Sequence, residues 1–294
     1  MKTKYLTNFF FFCRFSQKED NQHNFLGKGG FGEVYKGVWQ GQEIAVKKLR
    51  KEKLYAPDGT ISNYINTFIT ELKVMHQFPA DNILRLMGFS YSEDMTTDPC
   101  LVYQFMANGS LSDRLRMRNN KPPLTWIQRA QIVRGTAKGL VYLHSKKPPI
   151  IHGDIKPANI LLDQHLEAKI GDFGLARGGT TDPTKSFRSV SQVHGTSWYL
   201  PDDYKRSNCL CPKVDVFCFG ISLFEVVTGN TRNFNYYIHI NRFVNVAILI
   251  DISAKSPSSK DPKSQREMRY IMLDEKTVDY LPWVDKNIEP SHFW

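Results

Sequence analysis

The chain has 294 residues, and this length exceeds the size at which one hydrophobic core usually stops growing, so we expect two lobes. The net charge of +10 would suit a nucleic-acid partner, but the basic residues are scattered and no zinc-ligand or base-reading motif accompanies them. Five cysteines without a C-x-x-C pair do not indicate a disulfide framework, and no apolar run reaches the length of about 18 residues that a membrane helix needs. We therefore expect a reduced, cytoplasmic chain with no nucleic-acid partner and no membrane insertion.

A glycine-rich turn lies in the first region with a clear pattern of secondary structure. From Phe25 the sequence FLGKGGFGEVYKGVWQGQEIAVKKL predicts a strand, a glycine turn and two further strands. Glycine suits a phosphate-binding turn because backbone N–H groups can then approach the phosphates without hindrance from side chains. Taken alone, the pattern also fits an ordinary hairpin or a dinucleotide site, but a strand follows here where a dinucleotide-binding turn would open a helix.

Four further elements begin before the middle of the chain. The spacing of apolar residues from Asn63 to Met75 predicts a helix on which Glu71 is the one acid. Leu101 to Met106 predicts a buried strand that enters a turn. Capping-box sequences at Ser110 and Thr125 predict two helix starts. We expect the second helix to bury one face, made of Trp126, Ala130, Val133, Ala137 and Leu140.

The stretch HGDIKPANILLDQHLEAKIGDFG, from His152 to Gly174, combines two acids with an amide and a lysine. Two apolar runs separate its loop from Asp172, and we expect them to pair as a short hairpin that brings both ends together. Phosphoryl transfer needs a group that accepts or orients the hydroxyl proton, ligands for Mg²⁺, and positive charge at the moving phosphoryl group. Asp154 would meet the first need and Lys156 the third. Asn159 and Asp172 would hold Mg²⁺ through oxygen atoms.

This stretch resembles the catalytic and metal-binding loops of protein kinases, and HGDIKPANILLD is especially similar to the Pelle and interleukin-1-receptor-associated kinases. The resemblance implies an α+β, two-lobed kinase-like fold. A small, mainly antiparallel β lobe would carry one regulatory helix, and the larger lobe would be mainly α-helical. We divide the chain into an N-terminal extension (1–24), a small lobe (25–103), a large lobe (104–229) and a divergent C-terminal part (230–294).

The resemblance also implies which residues bind ATP and Mg²⁺. Lys47 would contact the α- and β-phosphates, Glu71 would pair with Lys47, and Tyr103 takes the gatekeeper position before a linker that binds adenine. The implied ATP-binding residues are Gly27, Gly29, Gly30, Gly32, Val34, Ala45, Lys47, Glu71, Tyr103, Gln104, Phe105, Met106 and Leu162. The implied catalytic residues are Asp154 and Lys156, and the implied metal ligands are Asn159 and Asp172.

Gly153 departs from the common kinase pattern. Most kinases have an arginine there that grips a phosphorylated activation loop. Its replacement implies that phosphorylation of this loop, which we expect near Ser189 or Ser191, is not coupled to Asp154 in the usual way.

Four positions after the activation loop bear on specificity and stability. Thr196 keeps the position that contacts the catalytic aspartate and lysine, and it marks serine/threonine rather than tyrosine specificity. Asp203 stands where the family has a glutamate, so a buried ion pair there would be strained or lost. Asp215 would brace the backbone of the catalytic loop, and Gly229 would end the central helix.

The resemblance breaks after Gly229. Thr231 to Ile250 resembles no familiar kinase segment, Lys255 to Lys263 predicts a linker, and Glu275 to Lys286 again resembles the family. On this interpretation the large lobe lacks its last helices. Because the central helix is apolar nearly all round, exposing its side chains would cost about 1.5–3 kcal/mol each and would favour self-association.

The leading hypothesis is a serine/threonine protein kinase that transfers the γ-phosphate of ATP to a protein substrate. The resemblance implies an intracellular signalling pathway of the Toll or interleukin-1-receptor kind, with an adaptor or receptor complex as a further partner. The alternative is a catalytically impaired kinase fragment that serves as a nucleotide-binding scaffold or interaction module. Asp203 and the unfamiliar segment from Thr231 to Ile250 favour that alternative.

Overall fold

The structure is a computed structural model, and it describes residues 24–29, 32–50, 63–90, 98–117, 121–182 and 184–229. These residues form two compact units. The first contains the described residues up to Ala107 together with Lys169–Ala176, and the second contains Asn108–Ala168 and the described residues from Arg177 onward. Gly30, almost all of the predicted N-terminal extension, and the C-terminal part from residue 230 lie outside the described residues.

An antiparallel sheet of five strands forms the first unit's framework. Its strands are β1 (Phe25–Gly29), β2 (Gly32–Trp39), β3 (Gln42–Lys48), β4 (Leu86–Ser90) and β5 (Cys100–Gln104). They are arranged in the order β1-β2-β3-β5-β4. Alternate residues of β3, Ile44 and Val46, point to one face and form an apolar cluster with Cys100 and Val102 of β5.

One helix, α1 (Asn63–Gln77), accompanies this sheet, as the apolar spacing predicts. Ile65, Phe68 and Met75 are buried, whereas the apolar side chain of Ile69 is exposed. Backbone hydrogen bonds join Ile170 to the segment that follows α1: Leu84 N donates to Ile170 O over 2.8 Å, and Ile170 N donates to Asn82 O over 2.9 Å. These bonds fix the chain just before Asp172 within the first unit.

Helices predominate in the second unit. They are α2 (Leu111–Leu115), α3 (Trp126–His144), α4 (Asp202–Ser207) and α5 (Lys213–Thr228). Both predicted capping boxes are confirmed, because the side chains of Ser110 and Thr125 accept hydrogen bonds from the backbone three residues later. Gly229 ends α5 in the left-handed conformation at φ 65°, also as predicted.

Short strands connect these helices. They are β6 (Ile150–Ile151), β7 (Ile160–Leu162), β8 (Ala168–Ile170), β9 (Arg177–Gly178), β10 (Arg188–Ser189) and β11 (Cys209–Leu210). The predicted hairpin is confirmed, since β7 and β8 form a two-stranded sheet. β6 pairs with β9, and β10 pairs with β11. β7 and Ala168 pack in an apolar cluster with α2, α3 and α5.

Two expectations about helix faces need correction. The buried face of α3 is not the predicted one, because only Leu140 of the five expected residues is buried. The residues that are buried are Arg129, Ile132, Thr136, Gly139, Leu140 and Leu143. The apolar side chains of α5, expected to be exposed, are buried or half-buried throughout. Among the residues described, no helix has the length and hydrophobicity needed to cross a membrane.

Candidate active site

Lys47 is the centre of a polar cluster in the first unit. Its Nζ lies 2.8 Å from Oε2 of Glu71 and 2.7 Å from Oδ1 of Asp172. β3 places Lys47, α1 places Glu71, and the turn after β8 places Asp172 with a left-handed backbone at φ 63°. The Tyr103 hydroxyl donates to the other oxygen of Glu71 over 2.7 Å. The structure thus brings together four residues that the sequence assigned to ATP or metal binding.

Burial and charge act in opposite directions on the protonation of this cluster. Burial alone lowers the pKa of Lys47, but the nearby carboxylates of Glu71 and Asp172 outweigh it, so its pKa lies above the usual value. Burial raises the pKa of Glu71, although Lys47 opposes that effect. Burial, and then the charge of Glu71, raise the pKa of Tyr103, which therefore keeps its proton and acts as a hydrogen-bond donor.

The register of the sheet places the glycine-rich strand β2 beside Lys47 of β3. Val34 of β2 lies opposite Lys47 of β3, and Ala45 lies opposite Tyr103 of β5. A Cβ atom on Gly32 would overlap the carbonyl of Lys48, so a side chain cannot be accommodated there without movement. The other glycines that the structure describes in this motif, Gly27 and Gly29, have open space at the Cβ position. Packing does not require glycine at these two sites, and an approaching ligand would meet no side chain.

The remaining residues implied to bind ATP lie at two places. β5 ends at Gln104, so the observed strand is shorter than the predicted run to Met106. Phe105 and Met106 follow in the same unit, and Lys36 Nζ lies 4.4 Å from the centre of the Phe105 ring. Leu162 belongs to the second unit and is completely buried in β7.

Asp154 is the centre of a second polar cluster, in the second unit. Its Oδ1 accepts hydrogen bonds from the Thr196 backbone N–H over 2.8 Å and from the Thr196 hydroxyl over 2.6 Å. Lys156 Nζ lies 2.7 Å from Oδ2 of Asp154 and 2.7 Å from Oγ1 of Thr196. The predicted contact of Thr196 with both residues is therefore present, and it fixes the carboxylate of Asp154 in one orientation.

Asp215, at the start of α5, supports the backbone of this cluster. Its carboxylate is fully buried and accepts hydrogen bonds over 2.8 Å from the backbone N–H groups of His152 and Gly153. His144 Nε2 lies 2.8 Å from the same carboxylate. Burial raises the pKa of Asp215, but the hydrogen bond and charge of His144 outweigh burial and hold the pKa below its usual range. The expected bracing role agrees with this geometry.

The side chains predicted to bind Mg²⁺ carry suitable oxygen atoms. Asn159 uses its amide nitrogen for hydrogen bonds to the carbonyl and carboxylate of Asp154, so its side-chain oxygen is not needed for them. Asp172 supplies a carboxylate, and carboxylate and amide oxygens are ligands that Mg²⁺ accepts. No group of three or more His, Cys, Asp or Glu side chains arranged for a metal ion occurs in the part of the chain that the structure describes. Asn159 belongs to the second unit and Asp172 to the first, and their joint role stays a prediction.

Residues 21–275 match the protein kinase domain family. The chain belongs to the protein kinase family. It is 43% identical over 233 residues to the Pelle-like serine/threonine-protein kinase pik-1 of Caenorhabditis elegans, which covers 74% of this chain and 47% of that protein. It is 45% identical over 210 residues to the serine/threonine-protein kinase pelle of Drosophila melanogaster, which covers 70% and 41%.

Interleukin-1 receptor-associated kinase 1 of Mus musculus is 37% identical over 226 residues, with coverage of 74% of this chain and 31% of that protein. The predicted resemblance to the Pelle and interleukin-1-receptor-associated kinases is thereby confirmed. The chain spans less than half the length of these curated relatives.

Sequence reasoning missed several contacts of this kinase domain. The hydrogen bond between Tyr103 and Glu71 and the pairing of His144 with Asp215 join residues that are distant in sequence. Asp203 is exposed on α4, where the sequence predicted a strained or lost buried ion pair. A histidine in the last turn of a helix is a common surface feature, so no pattern distinguished His144.

Proposed function

We propose that this chain is a serine/threonine protein kinase that transfers the γ-phosphate of ATP to a protein substrate with the help of Mg²⁺. The observation that carries the proposal is the position of Lys47, 2.8 Å from Glu71 and 2.7 Å from Asp172. Membership of the protein kinase family and the serine/threonine kinase names of its relatives support it.

In this proposal the first unit binds the phosphates of ATP. Glu71 holds the ammonium group of Lys47 in place, and Lys47 contacts the α- and β-phosphates. Gly27, Gly29 and Gly32 let backbone N–H groups approach the phosphates. Asp172 and Asn159 would hold Mg²⁺, which would neutralise negative charge on the phosphates. The raised pKa of Lys47 supports this role, because it keeps the side chain charged at neutral pH.

The second unit receives the hydroxyl group of the substrate. Asp154 accepts or orients the hydroxyl proton, and its fixed orientation avoids the cost of ordering it during the reaction. Lys156 places a positive charge near the phosphoryl group as it moves. Thr196 donates two hydrogen bonds to Asp154, 2.6 and 2.8 Å long. They support this assignment because they keep the carboxylate in one orientation within the site.

The cellular setting is part of the same proposal. We infer a cytoplasmic kinase of a signalling pathway whose partners are a protein substrate and an adaptor or receptor complex. The name of one relative, interleukin-1 receptor-associated kinase 1, supports a receptor-linked pathway. Autophosphorylation near Ser189 or Ser191, both exposed, would follow from the same activity.

Transfer of labelled γ-phosphate to a library of serine and threonine peptides tests the proposal. We expect Lys47→Met and Asp154→Asn each to lower the rate by at least about 100-fold. Lys48→Met is the matched control, because Lys48 is the next residue of β3 and pairs instead with Asp98 at 3.0 Å. It should retain the rate within about threefold. Equal rates for the two lysine variants would refute the assignment of Lys47.

A second candidate is a kinase domain that binds nucleotide without transfer and acts as a scaffold. The exposure of Asp203 favours it, because this acid makes no ion pair within the described residues. Nucleotide binding measured by calorimetry, together with no labelled product from the folded protein, would support the scaffold and overturn the catalytic proposal.

A further inference from the structure

Two basic side chains of the second unit meet at one amide oxygen. Nη1 of Arg114, in α2, donates to Oδ1 of Asn108 over 2.7 Å, and Nζ of Lys121 donates to the same oxygen over 2.9 Å. Because both nitrogens contact one atom, they lie at most about 5.6 Å apart, a distance at which like charges repel each other. The fold thus holds two positive charges close together, at a cost in free energy.

Burial adds to this cost. Arg114 is only 7% exposed, and its side chain donates to neutral acceptors, Asn108 and the Pro122 carbonyl, the latter over 3.0 Å. Within the part of the chain that the structure describes, its guanidinium makes no ion pair with a carboxylate. Burial lowers the pKa of Arg114, and burial followed by the charge of Arg114 lowers the pKa of Lys121. A buried charge without an acidic partner is unfavourable, and a bound anion would offset it.

Asn108 holds the two cations on a fixed base. Its backbone N–H donates to Leu162 O over 3.0 Å, and its Nδ2 donates to Asp163 O over 2.7 Å. These bonds attach Asn108 to the end of β7 and direct its Oδ1 toward Arg114 and Lys121. The donors are therefore in place before a ligand arrives, so binding costs little conformational freedom.

We propose that Arg114 and Lys121 bind a phosphate group. A phosphate monoester carries about 1.5 to 2 negative charges at neutral pH and has three terminal oxygens that accept hydrogen bonds. One such group can bond to both nitrogens and offset both charges, whereas a carboxylate carries a single charge. Arginine has five N–H donors, and two of them serve Asn108 and Pro122, so others are available to the ligand.

Two sources carry this chemistry, a phosphorylated serine or threonine of a protein and free inorganic phosphate. Their relative affinities distinguish them. Arg114 and Lys121 are not among the residues proposed to bind ATP or to transfer its phosphate. The inference therefore does not depend on the proposed function, and binding is measured without ATP.

Fluorescence polarisation with a labelled peptide tests the proposal. The peptide carries one phosphoserine among glycines, and matched peptides carry serine or aspartate in its place. We expect the phosphoserine peptide to bind at least about tenfold more tightly than the aspartate peptide. Lys121→Gln should weaken binding of the phosphoserine peptide by about five- to tenfold. Lys138→Gln is the matched control, because it removes the same charge from an exposed position of α3 in the same unit, and it should change the affinity by less than about twofold.

Arg114→Lys tests the second cation. It keeps the charge but loses the planar fork of donors, so we expect the folded variant to bind the phosphoserine peptide about tenfold more weakly. Because Arg114 is buried, circular dichroism and the melting temperature establish whether this variant folds. If it does not fold, Lys121→Gln decides, since Lys121 is only half-buried.

Competition with inorganic phosphate identifies the source. Inorganic phosphate that binds as tightly as the phosphoserine peptide would identify free phosphate as the ligand, and weaker binding would identify a phosphorylated protein segment. Three results would overturn the inference: no binding by the folded protein, equal affinities for the aspartate and phosphoserine peptides, or equal effects of Lys121→Gln and Lys138→Gln. Binding that is lost in Lys156→Met but kept in Lys121→Gln would place the phosphate beside Asp154 and would also overturn it.

Discussion

The Tyr103 hydroxyl donates a 2.7 Å hydrogen bond to Glu71, a carboxylate that is only 2% exposed. Lys47 binds the other oxygen of the same carboxylate at 2.8 Å. A buried carboxylate needs partners for its oxygens because water is not available to it. Tyr103 therefore helps to hold Glu71 of α1 in the orientation in which it pairs with Lys47 of β3.

Replacement of Tyr103 by phenylalanine tests this relationship. The phenyl ring fills the same space, but a buried oxygen of Glu71 loses its donor, so we expect the free energy of unfolding to fall by about 1–3 kcal/mol. Nucleotide affinity should fall as well, because Lys47 is held less firmly. Urea denaturation and calorimetry with ATP measure the two effects.

Tyr35→Phe is the control for Tyr103→Phe. The Tyr35 hydroxyl also donates to a glutamate, Glu33, over 2.8 Å, but that glutamate is partly exposed and water can replace the donor. We expect the free energy of unfolding to fall by less than about 1 kcal/mol and the nucleotide affinity to stay unchanged. Equal losses of unfolding free energy in the two tyrosine variants would contradict the role of Tyr103 in holding Glu71.

The approach of α1 to the segment that follows Asp172 predicts the effect of a second substitution. A Cβ atom on Gly174 would overlap Cγ2 of Thr67, whereas Cβ and the carbonyl oxygen of Thr67 would lie at an ordinary 3.6 Å. Gly174→Ala should therefore lower the free energy of unfolding by about 1–3 kcal/mol through overpacking. It should also lower the rate of phosphoryl transfer, because Gly174 follows Asp172 closely.

Thr67→Ser provides the matched rescue. Serine lacks the Cγ2 atom, so the double variant Thr67→Ser with Gly174→Ala should recover most of the stability that Gly174→Ala loses. A double-mutant cycle in urea measures the coupling, which we expect to be about 1–2 kcal/mol. Additive losses would show that Gly174 is constrained by something other than the methyl group of Thr67.

Part of the Asp154 cluster could be predicted from sequence because a short motif specifies three of its residues. Asp154, Lys156 and Asn159 lie within six consecutive residues, so local spacing alone places them near one another. The bond between Tyr103 and Glu71 could not be predicted in this way, since 32 residues separate them and the sheet and α1 must first form. Motifs identify which residues take part, whereas long-range packing decides which of them touch.

The prediction of the buried face of α3 was wrong because a charged residue occupies a core position. Arg129 is 3% exposed, and its guanidinium donates to Leu124 O over 3.1 Å and to Val226 O over 2.6 Å. A pattern that counts only apolar residues treats this position as surface, and the predicted face was rotated accordingly. Val226 lies 97 residues away, so the acceptor that permits the burial was not visible in the sequence.

Arg129→Met should therefore lower the stability of the fold by a predictable amount. Methionine fills the volume, but two carbonyl groups lose a charged donor in a place that water does not reach. We expect the free energy of unfolding to fall by about 2–4 kcal/mol. Arg134→Met, on the exposed side of the same helix, should change it by less than about 0.5 kcal/mol. Denaturant titrations that give the same midpoint for both variants would disprove the role of Arg129.

The last prediction concerns the acid stability of the glycine-rich strands. Glu33 of β2 accepts hydrogen bonds from Arg50 and Tyr35, and Lys28 lies 3.5 Å away. The hydrogen bond from Arg50, followed by that from Tyr35, lowers the pKa of Glu33 from its usual 4.5 to about 2. Between these two values the unfolded chain binds a proton that the folded chain does not. The stabilisation is therefore complete above pH 4.5 and disappears as the pH falls to about 2.

Glu33→Gln removes this titration. Because the side chain of Arg50 is 42% exposed, solvent screens the pair, and we expect Glu33 to contribute only about 1 kcal/mol at neutral pH. The difference in unfolding free energy between the unaltered protein and Glu33→Gln should be constant above pH 5 or so and approach zero near pH 2. Urea titrations at intervals between these limits, repeated in 1 M salt to weaken the pair, provide the measurement. A difference that persists unchanged to pH 2 would show that Glu33 stabilises the strands by packing, since the charge would by then be gone.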